Sequence, residues 1–153
     1  MAVLVYTTPK DKPFSCSCHQ LWTGHRCEVK KECPQDWVRH GNSCYHVIDT
    51  PTLKWSDNLG GDLAFIKSQD ENNFVHDLMN QQTDQDWVAW LGLYRKANNA
   101  FYWIDDIPLT DQYAAWASGE PNYFYVNEKC VHIYNVLEKL GELNDLRCNL
   151  DEA

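Results

Sequence analysis

The chain has 153 residues, of which 44% are hydrophobic, and its formal net charge is −9. This length predicts one ordinary domain with at most a small appendage, and the apolar content excludes a mostly disordered chain. The acidic balance argues against binding to nucleic acid or an anionic membrane surface, and no apolar run approaches the ~20 residues that span a bilayer. Seven cysteines and seven tryptophans are typical of an extracellular, disulfide-bonded domain.

The N-terminal region carries little structural signal. Residues 1–13 show no hydrophobic periodicity, so we expect an unstructured leader or the start of a fragment there. The basic start, long apolar stretch and cleavage site of a signal peptide are missing, which indicates a piece of a longer secreted or cell-surface protein. A cysteine cluster follows over residues 14–28, and the charged residues 29–32 are typical of a linker. The odd cysteine total agrees with an incomplete unit.

From residue 33 onward the pattern is that of one globular unit with mixed elements. A helix is predicted to begin at Ser68, because Ser68 and Glu71 form a capping box. The other predicted elements are a hairpin (residues 37–40 and 44–48), a short helix (52–59), a buried strand (63–66) and later strands (87–93, 101–104 and 130–134). A long stretch of low periodicity, residues 105–129, lies between the last two strands, and so long a loop in a compact domain is usually functional.

Several short motifs share one order and spacing along the unit. They are Cys33-Pro-Gln-Asp-Trp37 with Cys44-Tyr45, Gly60-Gly61-Asp62-Leu63-Ala64, Trp90-Leu91-Gly92-Leu93, Tyr102-Trp103-Ile104-Asp105, Trp116 ahead of Gly119-Glu120-Pro121-Asn122, and Asn144-Asp145-Leu146-Arg147-Cys148. Together they resemble the C-type lectin-like domain, over residues 33–149. The resemblance implies an α+β fold with two helices, small antiparallel sheets and a long calcium-binding loop. Compared with the family, the first helix after Trp55 is shortened and the final strand is missing, which would leave a sheet edge unpaired.

The cysteine cluster resembles the C-terminal half of an EGF-like module over residues 14–28. The two resemblances imply three disulfides and leave Cys16 without a partner. These disulfides are Cys18–Cys27, Cys33–Cys44 and Cys130–Cys148. The alternative is a zinc site built from Cys16, Cys18, Cys27 and Cys33, although tetrathiolate sites usually pair their ligands two to four residues apart.

Five side chains with oxygen ligands lie in or after the long loop: Glu120, Asn122, Glu128, Asn144 and Asp145. Calcium takes six to eight oxygen ligands, and three carboxylates with two amides supply most of that shell. Two vicinal hydroxyls of a sugar can fill the remainder, because each hydroxyl donates a hydrogen bond to a carboxylate and accepts one from an amide NH₂ group. We therefore predict that these residues bind both Ca²⁺ and a sugar.

The sequence Glu120-Pro121-Asn122 matches the Glu-Pro-Asn form of the family's sugar-binding motif. By resemblance, this form goes with mannose, N-acetylglucosamine and fucose, and Pro121 is expected to follow a cis peptide bond. The implied partners are glycans or glycoproteins, bound through several copies for avidity. For the aromatic run Tyr123-Phe124-Tyr125 we favour packing under the loop over stacking on a sugar.

Two other functions stay open at this stage. One is a calcium-independent protein-protein interaction domain of the same fold, and the other is an inactive truncated fragment. An enzyme is the least expected class, since no nucleophile triad or phosphate-binding loop emerges. The adjacent acids Asp105 and Asp106 would point to opposite faces of an extended segment, and His46 and His132 are expected at the edge of the core.

Overall fold

The computed structural model describes residues 1–6, 22–23, 29–30, 32–48, 62–82, 87–124, 127–136 and 139–148. These ranges contain one helix, α1 (Gln69–Gln82). The strands they contain are β1 (Ala2–Tyr6), β2 (Trp22–Thr23), β3 (Val29–Lys30), β4 (Val38–His40), β5 (Ser43–Ile48), β6 (Asp62–Leu63), β7 (Trp87–Arg95), β8 (Phe101–Trp103), β9 (Glu128–Asn135) and β10 (Leu143–Arg147). The α+β class is confirmed. The predicted helix over residues 52–59 and the Gly60-Gly61 pair lie outside the described residues.

Eight strands form one mixed sheet rather than several small ones. The order is β10-β9-β7-β1-β5-β4, with β6 paired to β1 and β8 paired to β7. The pairing of β1 with β7 is parallel, and the other pairings in this sheet are antiparallel. The strands β2 and β3 form a separate antiparallel pair.

The first strand corrects the expected unstructured leader for residues 1–6, whereas residues 7–13 of that prediction lie outside the described residues. Residues Ala2–Tyr6 pair along β5, and the Met1 carbonyl accepts a hydrogen bond from the Trp90 amide at 3.0 Å. Val3 and Val5 pack in the main core, whereas Ala2 and Leu4 pack in a smaller cluster on the other face. A continuous apolar run suits a strand that is buried on both faces, and such a run has no period-2 alternation to reveal it.

The hairpin and its disulfide are as predicted. The strand β4 pairs with β5 from Val38↔Tyr45 to His40↔Ser43, and Gly41 makes the turn at φ +56°. Cys33 and Cys44 form the expected disulfide. This bond excludes Cys33 from the alternative zinc site. The pairing of Cys18 with Cys27 lies outside the described residues.

The predicted cap of α1 at Ser68 is confirmed, with one difference from the predicted capping box: the Glu71 carboxylate reaches the Lys67 amide, one residue before Ser68. The Glu71 amide donates to the Ser68 hydroxyl at 3.1 Å, and the Glu71 carboxylate accepts from the Lys67 amide at 2.7 Å and from the Tyr45 hydroxyl. The helix buries Val75, Leu78 and Met79 in the main core. It is short and mostly polar, and no described helix has the length and apolar character of a membrane span.

The last strand, β10, was not predicted as a strand. Its pairs with β9 run from Leu143↔Ile133 to Arg147↔Glu128, and the predicted Cys130–Cys148 disulfide joins the two strands at their end. The adjacent polar residues Asn144 and Asp145 hide the strand signal, because both are buried, at 7% and 1% exposure, where alternation would expose one of them. The expected absence of a later strand falls on residues outside the described ranges.

Candidate functional site

The site is built where residues 116–124, named here the site loop, meet the end of the β9–β10 ladder. The peptide bond between Glu120 and Pro121 is cis, as predicted. The start of the loop is tied to β10, because the Ala117 amide donates to the Leu143 carbonyl at 2.9 Å and the Leu143 amide donates to the Ala115 carbonyl at 2.8 Å. These backbone hydrogen bonds fix the position of the start of the loop along β10.

Three of the five predicted ligands are in direct contact. The Asn122 backbone N–H donates both to Glu120 Oε2 and to Asp145 Oδ1, each at 3.1 Å. The Asn122 side chain donates from Nδ2 to Glu120 Oε1 at 2.9 Å, and its Oδ1 accepts from the Phe124 N–H at 2.7 Å. The residues on both sides of Pro121 are thus brought against Asp145.

The other two predicted ligands lie on the adjoining ladder. Glu128 begins β9 and pairs with Arg147, and Asn144 pairs with His132 next to Asp145. Glu128 is 3% exposed. Among the described residues, no three His, Cys, Asp or Glu side chains come close enough to hold a metal ion. A cation at this site would therefore depend on the amide oxygens of Asn122 and Asn144 as well as on carboxylates.

The electrostatics of the site fit a cation. Burial raises the pKa of the Glu120 carboxyl, the hydrogen bond from the Asn122 backbone lowers it, and the neighbouring Asp145 carboxylate raises it further. One oxygen of Glu128 and one of Asp145 are buried without a hydrogen-bond partner. Buried carboxylate oxygens are costly unless a positive charge or a donor compensates them, and an oxygen-rich acidic set with amides is the chemistry that Ca²⁺ prefers.

The aromatic residues Tyr123 and Phe124 of the loop differ in their contacts and exposure. The Tyr123 ring stacks on Phe101, with centroids 6.4 Å apart, and lies under the Arg95 guanidinium, whose carbon is 4.6 Å from the ring centroid. Packing, the favoured prediction, holds in part for Tyr123, because its ring contacts Phe101 and Arg95 while the residue is 44% exposed. It does not hold for Phe124, which is 76% exposed, and Tyr125 lies outside the described residues.

Other polar residues considered from the sequence have structural partners. Asp105 pairs with Lys67 at 3.6 Å and Asp106 pairs with Lys96 at 2.7 Å, so the two acids do not act as one pair. His46 stacks on Trp37, with ring centroids 5.5 Å apart. Arg95 was missed, because the residues it contacts are distant in sequence and no local pattern marks it.

The single large sheet with one face covered by α1, the disulfide-tied β9–β10 ladder and the cis Glu-Pro loop define a domain of the C-type lectin-like fold. A family profile described as "Lectin C-type domain" matches residues 54–153, so the chain belongs to this family.

Individual relatives agree with this assignment. C-type lectin domain family 4 member E of Mus musculus is 30% identical over 139 residues, which cover 86% of this chain and 61% of that protein. The structure of the C-type lectin CEL-I from Cucumaria echinata matches with a TM-score of 0.66 at 25% identity, over 77% of this chain and 91% of that one. The C-type lectin domain of murine dendritic cell inhibitory receptor 2, solved in complex with an N-glycan, matches with a TM-score of 0.65 at 26% identity over the same shares.

The members of this family share a general function. Homologues in this family bind carbohydrate, generally in a calcium-dependent manner, and the domain is in general non-enzymatic. The match to the mouse C-type lectin domain family 4 member E spans less than two thirds of that protein's length.

Proposed function

We propose that this domain binds glycans of the mannose, N-acetylglucosamine and fucose type through a bound Ca²⁺ ion. The observation that carries the proposal is the contact of Glu120, Asn122 and Asp145 around a cis Glu-Pro bond. The same region buries unpartnered carboxylate oxygens on Glu128 and Asp145. A divalent cation supplies the positive charge that this acidic cluster lacks.

Each residue has a defined task in this proposal. Carboxylate oxygens of Glu120, Glu128 and Asp145 and amide oxygens of Asn122 and Asn144 would hold the ion. The ion, when bound, polarises two vicinal sugar hydroxyls. Glu120 and Glu128 would accept hydrogen bonds from the sugar hydroxyls, whereas Asn122 and Asn144 would donate N–H hydrogen bonds to the hydroxyl oxygens. This pairing of acid and amide selects hydroxyls by their orientation on the ring.

The proposal extends to the setting of the domain. An N-glycan complex is known for the similar dendritic cell receptor domain, which supports a glycan ligand here. We expect a single metal-centred site to bind sugar weakly. We therefore propose that several copies of the domain are displayed together on a secreted or cell-surface protein. The cysteine pattern over residues 14–28 supports an upstream EGF-like module in the same protein.

A mannose column tests the function. We expect retention in calcium and release by a chelator, and retention that ignores the chelator would contradict the metal-centred mechanism. Asp145→Asn should abolish retention, because it removes a buried carboxylate of the site. Asp111→Asn is the matched control: Asp111 is exposed and has φ +58°, which asparagine tolerates, and it lies outside the contact network.

The sugar preference has its own test. Exchanging Glu120→Gln with Asn122→Asp reverses which flanking residue donates and which accepts, so we expect a shift from mannose towards galactose. The measurement is competition for the column by the two free sugars. Unchanged mannose selectivity in the double variant would argue against direct contact of these residues with the sugar.

The second candidate is a calcium-independent protein-protein interaction domain. One observation favours it: Glu120 and Asn122 already satisfy each other through hydrogen bonds, so the loop has a defined conformation formed by protein groups alone. Calorimetry with calcium separates the two functions. No heat and no rise in melting temperature would favour the second candidate.

A further inference from the structure

Arg95, the last residue of β7, contacts both segments that carry proposed ligands. Its guanidinium carbon lies 4.6 Å from the centroid of the Tyr123 ring. Its Nε donates to the backbone carbonyl of Glu128 at 3.0 Å, and its Nη1 donates to Asn99 Oδ1 at 3.3 Å. One side chain therefore connects the residue that follows Asn122 to the first residue of β9.

The backbone of Tyr123 needs such support. Its φ is +53°, in the left-handed region that a residue with a bulky side chain adopts at an energetic cost. Contacts of the side chain must hold it there, and within the described part of the chain the ring contacts Arg95 and stacks on Phe101. Phe101 also contacts Trp116 at the other end of the site loop, with ring centroids 5.1 Å apart.

The conformation of Tyr123 sets the direction of the groups on either side of it. Before it, the Asn122 N–H donates to Glu120 and Asp145. After it, the Phe124 N–H donates to the Asn122 side-chain oxygen at 2.7 Å. If Tyr123 left the left-handed region, the Phe124 N–H would turn away from Asn122 Oδ1, and the Asn122 side chain would lose the contact that orients its oxygen.

We infer that Arg95 is a positioning residue: it holds the Tyr123 turn and the start of β9 together, and so preorganises Asn122 and Glu128 for the ion. This inference rests on the proposed function. Arginine suits the task because its planar guanidinium can stack on a ring while its Nε donates in the same plane. Lysine has one ammonium group and cannot make both contacts in this geometry.

The test compares four variants of the full chain with a charge-matched control. Arg95→Lys and Arg95→Ala remove the joint contact, Tyr123→Leu removes the ring, and Tyr123→Phe keeps it. Lys96→Ala is the control, because it deletes the neighbouring positive charge, whose partner is Asp106 outside the site loop. In calcium titrations we expect about 10-fold weaker binding in the first three variants, as for groups that orient metal ligands, and wild-type binding in Tyr123→Phe and Lys96→Ala.

A second readout needs no calcium. In chelator, hydrogen exchange of the Phe124 amide should be faster in the Arg95 variants and in Tyr123→Leu than in wild type. Exchange of the Tyr134 amide, which donates to the Glu142 carbonyl at 2.9 Å in the ladder, should stay unchanged. If Arg95→Ala does not fold, Arg95→Lys and the two Tyr123 variants make the same comparison.

The outcomes separate the inference from the proposed function. Calcium binding and Phe124 exchange at wild-type levels in the Arg95 variants would overturn the inference and leave the calcium site standing. Equal acceleration at Phe124 and Tyr134 would overturn it as well, since that result shows general loss of stability. A wild-type chain that binds no calcium would remove the proposed function and the inference together.

Discussion

At the scale of single residues, His132 lies within the protein interior, at 3% exposure, and not at the edge of the core as predicted. Both ring nitrogens are buried without a hydrogen-bond partner, and the ring meets Trp90 and Tyr134 edge-on. Burial, with a smaller contribution from Lys139, lowers its pKa from 6.5 to about 4. The folded state therefore favours the neutral ring, whereas the unfolded chain takes up a proton at higher pH.

This difference predicts a pH dependence of stability with a definite sign. Because the folded pKa is depressed, the contribution of His132 is fully present above pH 6.5 and is lost as the pH falls from 6.5 through 4. The loss should reach about 3 kcal/mol in the free energy of unfolding. His132→Phe keeps the aromatic packing and should flatten this slope without a stability cost at pH 7. Denaturant titrations at several pH values measure it, and an equal slope in both proteins would contradict the account.

Gly92 shows how closely two segments of backbone approach. A Cβ at this position would lie 2.6 Å from the Leu63 carbonyl oxygen and 3.1 Å from Ile104 Cγ2. Backbone must move to admit it, so Gly92→Ala should lower the free energy of unfolding by about 1–3 kcal/mol. Gly41→Ala is the comparison. An added Cβ there has open space, so the substitution costs only the strain of placing alanine at a φ of +56°, about 1 kcal/mol. A Gly92→Ala protein as stable as wild type would contradict the close approach.

At the scale of elements, a substitution in β1 distinguishes the buried strand of the structure from the unstructured leader that the sequence predicts. Leu4 is 1% exposed in the smaller core cluster. Leu4→Ala should therefore lower the free energy of unfolding by about 2–5 kcal/mol. In the unstructured leader that the sequence predicted, the same substitution would cost nothing. Thermal or denaturant unfolding decides between the two, and Ile104→Ala, at a position 38% exposed, gives the scale of a partly exposed apolar truncation.

The elements also show what the sequence can reveal. The hairpin and α1 were predicted because local signals define them, namely turn residues and a capping box. The strands β1 and β10 were not, since their burial on both faces depends on partners far along the chain. For the site, Glu120, Asn122 and the cis bond were predicted from a contiguous motif. The cis bond is present, and the Asn122 N–H donates to Asp145 Oδ1, whereas the joint role of these residues as ligands stays a prediction. Arg95 could not be predicted, because its role arises only when β7, β9 and the site loop meet.

At the scale of the whole molecule, the carboxyl groups of the site make the stability of the folded protein depend on pH. Without calcium, the site holds carboxyls close to one another, and the raised pKa of Glu120 reports that its charged form is disfavoured. For an acid whose folded pKa is raised, protonation favours the folded state. The calcium-free protein should therefore gain stability from Glu120 as the pH falls through this raised pKa, and lose it as the pH rises.

Calcium should reverse this dependence, since only the ionised carboxylates bind the ion. At a calcium concentration 100-fold above the dissociation constant, binding adds about 2.7 kcal/mol to the free energy of unfolding. We expect the calcium-induced rise in melting temperature to be large at pH 7 and to vanish as the pH falls towards and below the ordinary carboxyl pKa of 4.5. Melting curves with calcium and with chelator across this range measure the difference. Asp145→Asn should remove the rise at every pH, whereas Asp111→Asn should retain it. A calcium effect that persists undiminished at pH 4 would place the ion outside this carboxylate cluster.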